Sequence, residues 1–402
     1  MLPPARVGSE GYIRGGLYFG GDMPTSETNA PEEPVDIPFL QREVGQRFPF
    51  YDMKVTPQAV VFFCRVDDQT VSDNFETLRL ILKEKGYIPM LQLHNGEHLL
   101  YIMKTQQRKY RSIYVNIILL VATVITTTIA GALLWVNYQF PTTDFGILGT
   151  YAKSIQPYYL LFGFLTFALP LMLILGIHET GHYLASRKHH VNASLPFFIP
   201  LPPVPGALTL GTFGAVISTR DPIPNRKALL HIGAAGPLCG FLVAIPVVVI
   251  GFFLMQQNPV LLPANSSNIT FIPPLLIQWI GSFFTIPSTA IIHPTLFAGW
   301  VGIFLTAVNL LPVGQLDGGH VARAVFKERH RYISWGIVIM LLVLGLFYTG
   351  WFMFAFIVLL FLGTQHQPPL NEMTQLDRRD LMIAVVILLV FILSFAPVPF
   401  SG

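Results

Sequence analysis

The sequence predicts an α-helical polytopic membrane protein of about six to seven spans, with a small N-terminal α/β domain on the cytoplasmic side. Three observations predict it. Of 402 residues, 52% are hydrophobic and only 12% are charged, and the mean hydropathy is +0.55; a soluble chain carries about 25% charged residues. Apolar runs near or beyond the ~18 residues of a spanning helix recur from residue 113 onward. Before residue 104 there is no such run, and strand and turn signals appear instead.

Residues 1–36 are rich in Gly, Pro and acids without a periodic apolar face, and read as a flexible tail. Residues 37–104 form the small domain. Within it, Ala59 to Cys64 reads as a buried strand. Asp73 and Glu76 fit the D-x-x-E start of a helix whose Phe75, Leu78 and Leu82 share a face, and Gly86 ends it. Strands near 87–93 and 98–103 flank Asn95-Gly96, a strong hairpin signal. The expected order is β-α-β-β.

Residues 105–402 form the membrane domain, with spans expected at 113–136, 158–184, 231–256, 291–312, 332–349, 351–364 and 381–397. The sixth is short enough to be a tilted or re-entrant half-span. The stretch 272–284, rich in Pro and aromatics, is expected to lie on the membrane surface. The distribution of basic residues tests this list. Lys104, Arg108, Lys109 and Arg111 put the small domain in the cytoplasm. Alternation then puts Arg187, Lys188, Arg220, Arg226, Lys227, Arg323, Lys327, Arg329, Arg331, Arg378 and Arg379 on that side too. The outside segments 137–157 and 257–290 hold Lys153 as their one basic residue. Counting 272–284 as a crossing would invert the later loops.

A net charge of +3 gives no reason to expect a nucleic-acid partner. Cys64 lies in a predicted strand and Cys239 in a span, so they form neither a disulfide framework nor a thiolate metal site. No signal-peptide core is visible near the start. Glu10, Asp22, Glu27, Glu32, Glu33 and Asp36 argue against an acid-poor transit peptide. The expected location is therefore the plasma membrane of a prokaryote, with the active site toward the cytoplasm.

Chemistry concentrates in His178-Glu179-Thr180-Gly181-His182. Positions i and i+4 of a helix share a face, so the two imidazoles can bind one metal ion. Glu179 sits beside them as candidate base without being a ligand. Ionisable groups at the end of an apolar run are costly and tend to be functional. A catalytic zinc takes three protein ligands, and the third candidate is Asp317, in Asn309-Leu310-Leu311-Pro312-Val313-Gly314-Gln315-Leu316-Asp317-Gly318-Gly319. The second and fourth spans both run toward the cytoplasm, so their ends reach one level. Pro312 and the glycines break the helix and let the carboxylate turn inward. Alone, Asp317 would read as an ordinary turn residue.

The H-E-x-x-H motif in a span, together with N-x-x-P-x-x-x-L-D-G at Asn309, Pro312, Leu316, Asp317 and Gly318, resembles the site-2 protease family of intramembrane zinc metalloproteases. The resemblance covers roughly residues 113–395. It implies zinc held by His178, His182 and Asp317, Glu179 as catalytic base, and cleavage of membrane proteins within or near their transmembrane segments. Gly211-Thr212-Phe213-Gly214-Ala215-Val216-Ile217 looks like the family's re-entrant strand, which would pair with an unwound substrate. That makes Gly211, Phe213 and Gly214 candidate substrate-binding residues; the alternative is an ordinary amphipathic loop. Asn309 is a further candidate, for substrate orientation or oxyanion stabilisation, or else for tying helices together. Gly233-Ala234-Ala235-Gly236-Pro237 reads as a close-packing run. His320 is left out of the ligand set, and His189 and His190 are expected at the interface or in solvent. The inter-span loops are too short for a PDZ domain, which points to the PDZ-free branch. A transporter or a non-catalytic scaffold are the competing classes, and the oligomeric state is open.

Overall fold

The computed structural model describes residues 35–105, 112–204, 210–262 and 270–401. The expected tail lies almost wholly outside the described residues, as do Arg108, Lys109 and Arg111. Contacts divide the chain into Met1–Arg42 and Glu43–Gly402, and α1 (Ile37–Gly45) runs across that division.

After α1 the chain forms β1 (Phe50–Val55), β2 (Val60–Cys64), α2 (Val71–Glu84), β3 (Tyr87–His94) and β4 (Glu97–Lys104), and the four strands make an antiparallel sheet of order β1-β2-β4-β3. The expected hairpin is present. Asn95 and Gly96 both take positive φ, 50° and 85°, as a two-residue turn between twisted strands requires. Three points differ from expectation, the first being helix α1, which precedes the expected β-α-β-β order. Strand β1 was not foreseen, because Tyr51, Asp52, Lys54 and Val55 are exposed and give no apolar alternation. Helix α2 starts two residues before Asp73, because Val71 already belongs to its buried face with Phe75, Leu78 and Leu82. Phe48, Phe62, Phe75, Leu91, Leu100 and Ile102 fill the space beneath the helix.

The remaining elements are mainly helical. Helices α3 (Ile113–Gln139) and α4 (Gly146–Ser154) come first. Next, α5 (Pro157–Gly163) runs through a π-helical turn at Phe164–Ala168 into α6 (Leu169–Lys188). Pro170 has no N–H to donate and its ring crowds the carbonyl four residues earlier, so a widened turn there is the expected accommodation. A short hairpin follows, β5 (Phe197–Pro200) with β6 (Thr212–Val216). The long α7 (Arg226–Gln257) then leads through β7 (Thr270–Phe271) and α8 (Leu275–Gly281) to α9 (Pro294–Asn309). The chain closes with α10 (Asp317–Phe326), α11 (His330–Leu344), α12 (Gly350–Ile357) running into a π turn at Val358–Leu362, α13 (Arg378–Ser394), and β8 (Phe400–Ser401), which pairs with β7.

Among the described residues, three helices are long and apolar enough to cross a membrane: Ile113–Gln139, Pro157–Lys188 and Arg226–Gln257. Pro294–Asn309 and Gly350–Phe361 are shorter apolar helices. At seven residues α8 extends only about 10 Å, too short to span. Outward faces carry large apolar side chains, including Ile118 of α3, Leu242 of α7 and Phe361 after α12. Inward, α6, α7, α9 and α10 enclose a core of Phe167, Leu171, Ile174, Leu230, Val248, Phe297 and Ile303.

Helix α2 sits against the C-terminal end of α6 and the segment after it. Lys83 Nζ lies 2.7 Å from Asp221 and 3.1 Å from the His190 carbonyl, and Arg79 reaches the His189 carbonyl. The sheet edge is extended by the segment before α13: Leu91 N–H donates to Leu370 O at 2.8 Å, and Leu370 N–H to Ile223 O at 2.9 Å.

Candidate metal centre

His178 and His182 lie one turn apart on the face of α6 turned to α7, and both are buried. Their Nε2 atoms are 3.1 Å apart. Asp317 reaches the same point from the first residue of α10: its Oδ2 lies 3.3 Å from His178 Nε2 and 3.3 Å from His182 Nε2. These are the three residues that form a metal-capable group among the described residues. The chain can deliver the carboxylate because α9 stops at Asn309 and the segment 310–316 turns before α10 begins. At that first turn the free N–H groups of α10 favour a negative side chain.

The donor triangle itself tests whether a metal fits. In a tetrahedral zinc site with bonds of about 2.0–2.1 Å, neighbouring donors lie about 3.3 Å apart. Edges of 3.1, 3.3 and 3.3 Å meet that requirement. The tautomer fits as well. His182 Nδ1 lies 2.7 Å from the Ile232 carbonyl, so Nδ1 carries the proton and donates, leaving the Nε2 lone pair facing the cluster.

The close-packing run of α7 shapes this site directly. A Cβ built on Gly236 would run into the His182 imidazole, and one on Gly181 would meet the Ala235 carbonyl at 2.6 Å. The sequence marks Gly236 as small but does not show that a ligand ring occupies the space.

Glu179 is also buried. One carboxylate oxygen lies 4.0 Å from His178 Nε2, beside the group but not in it. Directly after β6, the backbone of Ile217 lies beside this carboxylate. The hairpin therefore ends at the candidate base. Within it Phe213 is exposed, Gly214 is buried with φ +101°, and Gly211 has φ +76°. Among the described residues β6 pairs with β5 alone, so its second edge has no strand partner. Asn309 is half-buried at the end of α9, and its side chain makes no hydrogen bond among the described residues.

Other histidines are placed differently from expectation or outside the group. His189 is half-buried rather than solvated: its Nε2 lies 2.9 Å from His231 Nδ1, and His231 Nε2 lies 2.9 Å from Asp380. His190 is exposed. His320 bonds the Leu316 carbonyl through Nδ1 at 3.0 Å and stacks edge-on with His366.

Residues 166–347 match the model of peptidase family M50, a stretch that contains both motifs. Those residues are similar to peptidase family M50, the site-2 protease family. Among curated proteins this chain is 31% identical over 261 residues to "Probable zinc metalloprotease EGY1, chloroplastic" of Arabidopsis thaliana, covering 60% of this chain and 44% of that protein. It is 33% identical over 276 residues to the EGY1 protein of Oryza sativa subsp. japonica, covering 64% and 43%. With "Probable zinc metalloprotease EGY2, chloroplastic" of Arabidopsis thaliana it shares 27% over 238 residues, covering 58% and 42%. The chain thus spans less than half the length of these curated relatives. No solved structure matches it.

Proposed function

We propose that this chain is an intramembrane zinc metalloprotease that hydrolyses peptide bonds within or near transmembrane segments of membrane proteins. The observation that carries the reading is the convergence of His178, His182 and Asp317, two motifs 135 residues apart in the chain, on one buried point beside Glu179. Those three residues would hold zinc, whose bound form supplies Lewis acidity to polarise a carbonyl and to acidify water. The Glu179 carboxylate accepts a proton from the attacking water at one oxygen. It returns that proton to the amide nitrogen as the C–N bond breaks. His182, fixed by the Ile232 carbonyl, keeps its ring oriented throughout.

A transmembrane helix must unwind before its peptide bond can be attacked. The open edge of β6 offers an extended segment backbone partners, with Gly211, Phe213, Gly214 and Asn309 on the substrate side. About six to seven spans place the membrane domain, 105–402, in the bilayer, with the small domain, 37–104, on the cytoplasmic side. The proposed bilayer is the plasma membrane of a prokaryote. The names of the relatives place those proteins in chloroplasts, so fractionation of the native source decides between the two.

In proteoliposomes the wild-type chain should cleave single-span proteins, and Glu179→Gln should retain them uncut through purification. Zinc-loaded wild type that cuts none of a broad panel of such proteins would reject the reading.

A further inference from the structure

Helix α3 is apolar with one polar stripe. Ile117, Ile118, Val121 and Ile125 are exposed, whereas Asn116, Thr123 and Thr127 are buried. Spacings of i, i+7 and i+11 keep the buried three on one face, and that face meets the β5–β6 hairpin. The Asn116 amide uses both its N–H bonds there: Nδ2 lies 2.9 Å from Leu195 O and 3.0 Å from Pro196 O, the last two carbonyls before β5. About 15 Å further along the helix, the Thr126 hydroxyl lies 2.6 Å from Gly211 O, the carbonyl before β6. A hydroxyl has one proton. Its competing acceptors, Ala122 O and Thr123 O in its own helix, are farther away, at 3.0 and 3.1 Å.

Gly211 makes the approach possible. It has φ +76°, and a Cβ there would lie 2.5 Å from Thr127 Cα and 2.6 Å from Thr126 O. In a hydrocarbon setting an unpaired carbonyl is costly, so these contacts do more than they would in water. Each strand thus hangs from α3 at its entry, and β6 packs against α6, the helix that carries Glu179.

We propose that Asn116 and Thr126 are positioning residues for the proteolytic reaction. They fix the height and register of the open β6 edge beside Glu179, and so select which peptide bond of an extended substrate is presented. This rests on the protease reading above, but neither residue belongs to the metal group.

The test uses the full chain in proteoliposomes with one single-span substrate. Thr126→Val removes the hydroxyl at nearly constant shape, Thr126→Ser keeps it, and Asn116→Leu removes both amide donors. Val and Leu should raise KM by about 3- to 20-fold, the span of intramembrane hydrogen bonds, and spread the cut over neighbouring bonds in mass spectra. Zinc content and kcat should hold, and Ser should restore both KM and cut site. Thr126→Val with the wild-type KM and a single cut overturns the proposal, as does equal damage from Val and Ser, which would mean packing alone matters. Amide exchange across 212–217 reads the same question without catalysis: faster exchange in Val than in Ser supports positioning, and equal exchange overturns it. Wild type that binds zinc yet cuts nothing counts against the protease reading alone, and the exchange arm still decides.

Discussion

Replacing Gly236 with alanine sets a methyl group against the His182 imidazole. A Cβ at that position lies 2.5 Å from Cε1, and nearer still to Nε2 and Cδ2, whereas ordinary contact begins at 3.4 Å. The ring must withdraw, or α7 must move off α6, by about 1 Å, and close-packed interiors resist such shifts. Metal–ligand distances tolerate only about 0.2 Å, so Nε2 leaves the donor triangle. Losing a supporting partner of a ligand costs about 10–100-fold in metal affinity. Displacing the ligand itself should reach the upper end, about 2.7 kcal/mol. Gly240→Ala is the graded comparison, since its Cβ would sit 3.0 Å from His178 Nδ1, and Gly176→Ala is the control, with no atom within 4 Å. Competition with a chromophoric zinc chelator on purified protein reads the affinities, and thermal midpoints report folding. Gly236→Ala holding zinc as tightly as Gly176→Ala would refute the packing argument.

Three further outcomes are expected. Glu179→Gln should lower cleavage by about 10²–10⁴-fold with zinc stoichiometry unchanged; loss of zinc in that variant would make Glu179 a ligand. Burial, then His231 and Lys188, push the His189 imidazole from its ordinary value of 6.5 down to about 4. Between those values the unfolded chain binds a proton that the folded chain does not, so His189's contribution is complete above about pH 6.5 and is lost as pH falls toward about 4. Thermal midpoints from pH 7.5 to 4.5 should drop less steeply in His189→Gln, and identical profiles would contradict the assignment. Burial pushes the Cys64 thiol up to about 12, so native protein should alkylate there at least about 100-fold more slowly than urea-unfolded protein, as read by peptide mass spectrometry.

The metal group was legible because its logic is local and directional. An i, i+4 pair on a helix must share a face, and chain direction brings the ends of α6 and α9 to one level. The N-terminal strands were legible where a signal was strong, as at Asn95-Gly96, and missed where the strand is edge-like and exposed, as in β1. Helix ends blurred for a different reason. α9 covers Pro294–Asn309 rather than 291–312, since hydropathy does not register where Pro312 and its glycines end the helix. What sequence could not supply was pairing across long separations. Asn116 reads as a polar residue tolerated in an apolar run until its acceptors, 79 and 80 residues away, are seen. His189 reads as interfacial or solvated until its contact with His231, 42 residues on, is seen. Gly236 announces close packing without naming the ring it faces.

X-ray absorption at the zinc K-edge measures the donor set most directly. Protein loaded with one equivalent of zinc should show two imidazole nitrogens and carboxylate oxygen in a single shell at about 2.0–2.1 Å, and Asp317→Ala should lose part of the oxygen scattering together with affinity. A shell without imidazole, or one unchanged in Asp317→Ala, would contradict the meeting of the two motifs at one metal ion.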